Sequence, residues 1–465
     1  MASECDSGIG ARPQNRSAGT RNGVTAMKET INIGLLGFGT VGVGVAKLLL
    51  EKRDLIRSRV GAELVLSRVA DIDIETDRGL TLDPSVLCAD ARDVVADPSI
   101  DILVEMIGGE GIAFELIEKA IAMGKPVVTA NKALLAHRGT TLFRSAAAKG
   151  VDLMFEAAVG GCMPIIKSLR ESLVGNDIRS MTGILNGTCN YILSKITAEG
   201  SQFKDVLAEA QAEGYAEADP TLDVGGYDTA HKLAILTALA YGTEVNFDDI
   251  YIEGISGITP LDIELADQFG YRIKLLAISK RHEGAVEARV HPTMIPRENP
   301  LAVVNGTMNA VTITGDAVGD TMLYGHGAGR MPTASAVLSD LADVARNLIY
   351  GSVGRVPLWG HQPEAIAKIP VLSVDEVSTH YYFRFLALDQ PGVLSRIAGV
   401  LGEHDISIKS VHQKGRKTNG AVPVVMFTHR ASESDVQEAL AKIMHLEVMA
   451  GDPLLIRIED EEATD

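Results

Sequence analysis

Tryptophan is nearly absent, with one residue in a chain of 465, and cysteine is scarce. Cys5, Cys88, Cys162 and Cys189 show neither paired metal-ligand spacing nor a disulfide-rich pattern, which excludes a disulfide framework and points to a reducing, cytoplasmic compartment. Basic residues are outnumbered, 43 Lys and Arg against 61 Asp and Glu, for a formal charge of −18. A phosphate-tracking surface needs a basic face, so no nucleic-acid partner is expected. Long apolar runs are also missing. The 233–241 stretch falls far short of the roughly 20 residues that cross a bilayer, so no membrane partner is expected.

What is present reads as an α/β protein: 46% hydrophobic residues and 46 glycines, in a length that suggests about three domains. Residues 1–26 are small and polar and lack the apolar segment of a signal peptide, so they are expected to be a disordered extension. Arg12, Arg16 and Arg21 make only a weak organellar targeting signal. A compact domain starts naturally after Met27.

The segment 31–36 has the pattern of a buried strand and runs into Gly37-Phe38-Gly39-Thr40-Val41-Gly42, followed by a helical stretch at 43–52. Strand, glycine turn and helix in that order place a pyrophosphate against helix N-terminal N–H groups. A second strand, 64–70, ends at Asp71, an acid suited to the adenosine ribose of NAD, while Arg68 could instead answer the 2′-phosphate of NADP. Strands at 102–107 and 126–129, with a helix at 113–122, continue the alternation, which predicts a parallel, Rossmann-type sheet over residues 27–150. Lys132 follows a strand tip and would point toward the nicotinamide edge.

Beyond a strand at 152–156, Val159, Gly160, Gly161 and Met163 form a glycine turn whose carbonyls could hold a hard cation beside Glu156, although such turns are often only turns. A strand at 180–185 leads through Asn186 and Cys189 to a helix at 191–199. Glu217-Ala-Asp-Pro-Thr-Leu-Asp223 then meets Gly225-Gly226, and from Tyr227 the apolar positions 230, 233, 234, 236 and 239 keep a helical period. On that helix Asp228 and Lys232 are one turn apart and share a face. The pair could be an inert surface contact. Its place at the mouth of an almost wholly apolar helix argues instead for a partly desolvated lysine with a lowered pKa, suited to moving a proton.

Strands at 271–278, 286–291 and 310–314 suggest a central α+β region, 151–325, for substrate and subunit contacts. The glycines ending at Gly329 open a long helix, 334–348, expected to return to the first domain over about 326–351. Prolines mark a linker at 352–377. The β-α-β-β-α-β order across 378–458 is that of a ferredoxin-like module, and the acidic 459–465 read as a solvated end.

These motifs, with Thr129-Ala-Asn-Lys132, Leu185-Asn-Gly-Thr-Cys-Asn-Tyr-Ile192, Asp228-Thr-Ala-His-Lys232 and Gly327-Ala-Gly329 before Pro332-Thr-Ala, resemble the homoserine dehydrogenase family carrying a C-terminal ACT domain. The resemblance covers 31 to about 350 and 381–458. It implies interconversion of L-homoserine and L-aspartate 4-semialdehyde with NAD or NADP, in threonine, methionine and isoleucine biosynthesis. By that resemblance Lys232 is the general acid, Asp228 holds the substrate end, and Lys132 stands beside the reacting centre and the cofactor. Glu217 and Asp223 bind substrate, and Gly37 to Gly42 with Gly329 hold the nucleotide. It further implies a sodium site on Glu156, Val159, Gly161 and Met163, and a threonine effector site at Asp389 and Gly392. A homodimer or homotetramer is the assembly it suggests.

Two other functions fit parts of the chain. One is a semialdehyde dehydrogenase that forms a thioester on Cys189, although no base lies next to it in the sequence. The other is a non-enzymatic, dinucleotide-dependent amino-acid sensor.

Overall fold

In the computed structural model residues 28–413 and 420–460 are described; the expected N-terminal extension, Cys5 and 461–465 lie outside them. The first unit is a six-stranded parallel sheet in the order Leu87–Cys88, Glu63–Ala70, Thr30–Leu36, Ile102–Glu105, Val127–Thr129, Leu153–Met154. The order reverses between Thr30–Leu36 and Ile102–Glu105, and a doubly wound sheet opens a ligand crevice at such a switch point. The Gly37 turn lies there. Gly37 has φ +90°, and a Cβ on it would stand 2.5 Å from the Met106 carbonyl oxygen, so only glycine fits between the two strand ends.

The Arg330–Tyr350 helix does return to this unit. Its Ala334, Val337, Leu341 and Val344 share one core with Ile31, Val45 and Leu49. The approach to the Thr40–Glu51 helix is close at Gly44, where a Cβ would meet Arg330 O at 2.8 Å and the Ala334 Cβ at 3.0 Å. Both expected helices start earlier than their apolar period suggested, at Thr40 and Arg330, because the period sees only the buried positions and not the polar first turn.

The remaining strands form one mixed sheet of 11 strands. Its main path runs Gly319–His326, Met308–Gly315, Ile178–Ile184, Tyr271–His282, Ala285–Pro296, then Leu454–Ile458, Ser378–Leu388, Ala421–Thr428 and Ile408–Gln413. The strand Gly319–His326 was not expected. Its glycines read as loop, but it closes an antiparallel hairpin on Met308–Gly315 as an edge strand with alternating exposure. The ACT-type unit keeps the expected element order, with its own core around Tyr381, Phe383, Ile397 and Ile443. Its last strand pairs in parallel with the central sheet at Thr293–Arg457 and Met294–Ile458.

The junction also corrects the reading of the acidic end. Glu459 is not a solvated residue: it bonds the Arg289 guanidinium and the Lys280 ammonium, which hold its carboxyl well below the usual range against the cost of burial. Asp460 accepts from the Tyr271 hydroxyl at 3.1 Å.

Candidate active site

Lys132 begins the Lys132–Lys149 helix directly after the strand tip at Thr129. That tip is organised by Glu105, fully buried, whose carboxylate accepts from the Thr129 hydroxyl at 2.6 Å and from the Ile107 and Gly108 N–H groups at 2.8 and 2.9 Å. Asn131 caps the helix through Leu134 N and donates to Gly109 O at 2.7 Å. Lys132 thus leaves the carboxyl edge of the parallel sheet with its backbone held on two sides.

From the other direction, Thr221–Val224 forms a short helix. Gly226, at φ +88°, turns the chain into the Tyr227–Tyr241 helix, which starts where the apolar period placed it. Lys232 is 7% exposed, and its ammonium donates to Leu185 O at 2.6 Å and Asp228 Oδ2 at 2.7 Å. The second Asp228 oxygen lies 3.1 Å from the Lys132 ammonium. Asn186, which also caps the Gly187–Glu199 helix, donates to Asp228 Oδ2 at 2.9 Å and Asp223 Oδ1 at 2.7 Å. Lys132, Asp223, Asp228 and Lys232 therefore meet in one cluster. Asn186 is the member that the sequence did not flag; its one signal was an asparagine at a helix start.

The electrostatics follow from burial and from sharing one acid between two ammonium groups. Burial lowers the Lys232 ammonium below the usual lysine range, and Asp228 opposes that only in part. Asp228 raises Lys132 above it, against the opposing effect of burial. Burial would push the Asp228 carboxyl up, but Lys232 and Lys132 together hold it well below the usual carboxylate range. Burial raises Asp223, with the Asn186 bond opposing. Glu217 is an exposed loop residue whose charge adds to the raising of Lys132, and its carbonyl accepts from Gln211 at 3.0 Å.

Cys189 does not have the surroundings of a nucleophile. It is fully buried, its thiol donates to Asp223 O at 3.1 Å, and burial pushes its pKa well above the usual thiol value. The thioester reading fails on that geometry.

In front of the glycine turn lies a groove of about 710 Å³, lined by Gly37, Gly39, Asp71, Arg78, Met106 and Ile107 among others. A Cβ on Gly39 would meet nothing within 4 Å, so that backbone faces open space of the kind a dinucleotide fills. Phe38 N–H donates to Asp71 Oδ2 at 2.5 Å, tying the turn to the acid at the second strand's tip. Gly42 is needed sterically, since a Cβ there would stand 2.1 Å from Gly37 O; Thr40 and Val41 open the helix. Arg68 is drawn away instead, bonded to Asp97 at 3.5 Å and to Ser85 O at 3.2 Å. Arg78 and Arg92 both line the groove, and the Arg78 guanidinium lies 3.4 Å from both Asp71 and Asp73 and over the Phe38 ring. Arg78 lies in a loop with no periodic pattern to mark it. Gly329, at φ +121°, is the N-cap of the long returning helix.

Each Glu156 oxygen accepts one backbone N–H, from Ile166 at 3.0 Å and from Lys167 at 2.8 Å. The described residues contain no group of three or more His, Cys, Asp or Glu that could hold a metal. Gly161, at φ +57°, packs against the chain at His326 and Gly327, and Met163 O accepts from Ile165 N at 2.8 Å. In the C-terminal unit, Asp389 and Gly392 lie in the turn between Ser378–Leu388 and Val393–Glu403; Gly392 has φ +89°, and Asp389 N–H bonds Gly420 O at 3.0 Å.

A parallel sheet with its glycine turn at the switch point, and a buried lysine near the same strand ends, defines a nicotinamide-dependent oxidoreductase. Residues 164–342 match the family Homoserine dehydrogenase, 37–156 match Homoserine dehydrogenase, NAD binding domain, and 381–447 match the ACT domain. The homoserine dehydrogenase of Pseudomonas aeruginosa is 46% identical over 434 residues, 93% of this chain and 99% of that one. That of Neisseria gonorrhoeae is 45% identical over 432 residues, again 93% and 99%. A crystal structure of a homoserine dehydrogenase from Thiobacillus denitrificans superposes with a TM-score of 0.89 at 47% identity, over 93% of this chain and 99% of that one. A hyperthermophilic archaeal homoserine dehydrogenase mutant in complex with NADPH superposes at 0.57 with 27% identity, over 68% and 97%.

The chain belongs to the homoserine dehydrogenase family. It is an NAD(P)-dependent oxidoreductase acting on a CH–OH group, with an ACT domain at its C-terminal end.

Proposed function

We propose that Lys232 is the proton donor and acceptor of the homoserine dehydrogenase reaction. The observation that carries this is its buried ammonium, bonded to an acid that also reaches Lys132 at the nucleotide-domain strand end. When bound, the nicotinamide supplies or takes the hydride. In semialdehyde reduction Lys232 gives a proton to the carbonyl oxygen, and in homoserine oxidation it takes the hydroxyl proton. Asp228 keeps the ammonium aimed and offsets its burial, and Lys132 adds positive charge where an alkoxide develops. Asp223 and Glu217 are the carboxylates offered to the substrate amine, both close enough for their charge to raise Lys132. Gly37 to Gly42, Asp71 and Gly329 hold the nucleotide, with Arg78 in the place first given to Arg68.

Residues 27–150, the strand Leu153–Met154 that extends that sheet past the boundary first expected, and about 326–351 form the nucleotide domain, the rest of 151–325 the catalytic domain, 352–377 the linker and 378–458 the regulatory domain. Threonine is the proposed effector, bound at Asp389 and Gly392, and the pathway is threonine, methionine and isoleucine biosynthesis. Support comes from the ACT-type fold and from the open turn at Gly392, where a Cβ would meet nothing within 4 Å. A sodium ion, held by carbonyls at Val159, Gly161 and Met163 beside Glu156, would be structural. A homodimer or homotetramer is the proposed assembly, favoured by the apolar residues Met322 and Tyr324 on the exposed edge strand.

The test is one set of absorbance traces of the reduced nicotinamide, taken with L-homoserine and either NAD or NADP, with and without threonine. Turnover with homoserine supports the site assignment, and loss of turnover on adding threonine supports the effector. No turnover with either cofactor would defeat the reading.

A further inference from the structure

We propose that Glu253 is a positioning residue for the lysine–aspartate cluster, acting through the 224–226 turn and itself held by Arg457 of the C-terminal unit. The inference rests on the roles given to Asp228 and Lys232 above.

Arg457 is 1% exposed and sits on the strand that joins the two parts of the mixed sheet. Its guanidinium is fixed by Glu433, fully buried at the start of the Glu433–Met444 helix, and donates to the Tyr251 hydroxyl at 3.1 Å. The group it offers toward the catalytic side is Nη1, which meets Glu253 Oε2 at 2.8 Å. The Tyr251 hydroxyl donates to the same Glu253 oxygen at 2.9 Å. The Glu253 side chain, one-third exposed, is therefore clamped from the C-terminal unit.

Its backbone has equally little freedom. Glu253 N–H donates to Val290 O at 2.8 Å, continuing the parallel pairing of Tyr251–Ile252 with Ala285–Pro296. Ile255 N–H donates to Val224 O at 2.9 Å. Gly254, between them, lies so close to the turn that a Cβ would stand 2.2 Å from Val224 O and 2.8 Å from the Gly225 Cα. Gly226 in turn packs on Ile252 and on the Glu253 carbonyl, at 3.2 and 3.3 Å from the position of a Cβ. Packing this close transmits displacement instead of absorbing it.

On the other side of that turn stand the catalytic acids. Asp223 precedes it, and Asp228 lies in the first turn of the helix that Gly226 caps. Asn186 binds both, so their spacing is set together. The C-terminal unit thus reaches the acid that aims Lys232 by way of Arg457, Glu253, Gly254 and the 224–226 turn. A shift of the last strand would tilt Asp228 against Lys232 without touching the nucleotide groove.

The experiment uses the full chain with Glu253→Gln, Glu253→Asp and Gly254→Ala, each checked for an intact thermal transition. Glu253→Gln is expected to lower kcat on the order of tenfold, within the range that such couplings span. In semialdehyde reduction it should move the high-pH limb of the kcat profile, which Lys232 sets, and leave the cofactor KM near the parent value. Glu253→Asp should restore part of kcat, and Gly254→Ala should reproduce the same split with the Arg457 contact intact. Parental kcat and pH profile in both Glu253→Gln and Gly254→Ala would overturn the proposal. So would a loss that tracks lowered stability with an unmoved pH profile. An inactive parent enzyme would instead defeat the functional reading on which the proposal rests.

Discussion

Lys132 and Asp228 form an ion pair at 3.1 Å between the nucleotide-binding sheet and the catalytic helix, while the other oxygen of the same carboxylate holds Lys232 at 2.7 Å. One acid shared by two ammonium groups from different units makes the alignment of those units a condition for a correctly charged site.

Replacing Lys232 by Met removes the proton carrier while keeping the length of the side chain. Homoserine oxidation should fall by roughly 10²–10⁴-fold, the span of general acid–base catalysis, with nicotinamide binding retained by fluorescence titration. The parent enzyme should show opposite pH trends for the two directions. Semialdehyde reduction needs the ammonium and declines as pH rises through a lysine pKa lowered by burial, whereas homoserine oxidation needs the free amine and rises there. Matching trends in both directions would contradict the role of Lys232.

His231 precedes Lys232, lies 3.3 Å from His137 and stacks on Phe247. Burial, with His137 adding to it, lowers its pKa to about 4. The folded form resists protonation while the unfolded chain protonates near the free histidine value, so stability is intact at neutral pH and lost as pH falls from about 6.5 toward 4. His231→Phe should flatten that part of the stability profile by on the order of 2 kcal/mol in denaturant melts taken across the range.

Cys189→Ser keeps a small side chain that can still donate to Asp223 O. Turnover should stay within a few-fold of the parent, because the buried thiol supports the turn and does not attack substrate. A loss of several orders of magnitude in steady-state rate would revive the thioester reading.

Arg78→Leu takes away one of the two arginines that line the groove, together with its ion pair to Asp71 and its contact over the Phe38 ring. The KM for NADP should rise more than that for NAD, by about tenfold, the order expected when a charge-assisted bond is lost. Arg68→Leu should leave the ratio of the two unchanged, since Asp97 and Ser85 hold that side chain elsewhere.

The elements with strong periodicity were readable from the residues. The 31–36 strand, the helix from Tyr227 and the Asp228–Lys232 pair depend on local patterns of burial and spacing, and each lies where those patterns placed it. Lys132 meeting Asp228 was not readable, because nothing local relates a strand tip in one unit to a helix start in another. Arg68 misled because an acid–base reading of a strand tip ignores which face of the pleat a side chain occupies, and Asp97 was available on that face. Glu459 misled for the opposite reason: its acidic neighbours suggested solvent, while its partners Arg289 and Lys280 are far away in the sequence.

The parallel pairing of Leu454–Ile458 with Ala285–Pro296 has a further consequence for anyone shortening this chain. A truncation in the 352–377 segment would strip the pairing at Thr293 and Met294 from a strand whose residues are almost all buried, leaving bare N–H and C=O groups there and the buried Arg289 without Glu459. Such a fragment is expected to self-associate through that edge, which size-exclusion chromatography would show.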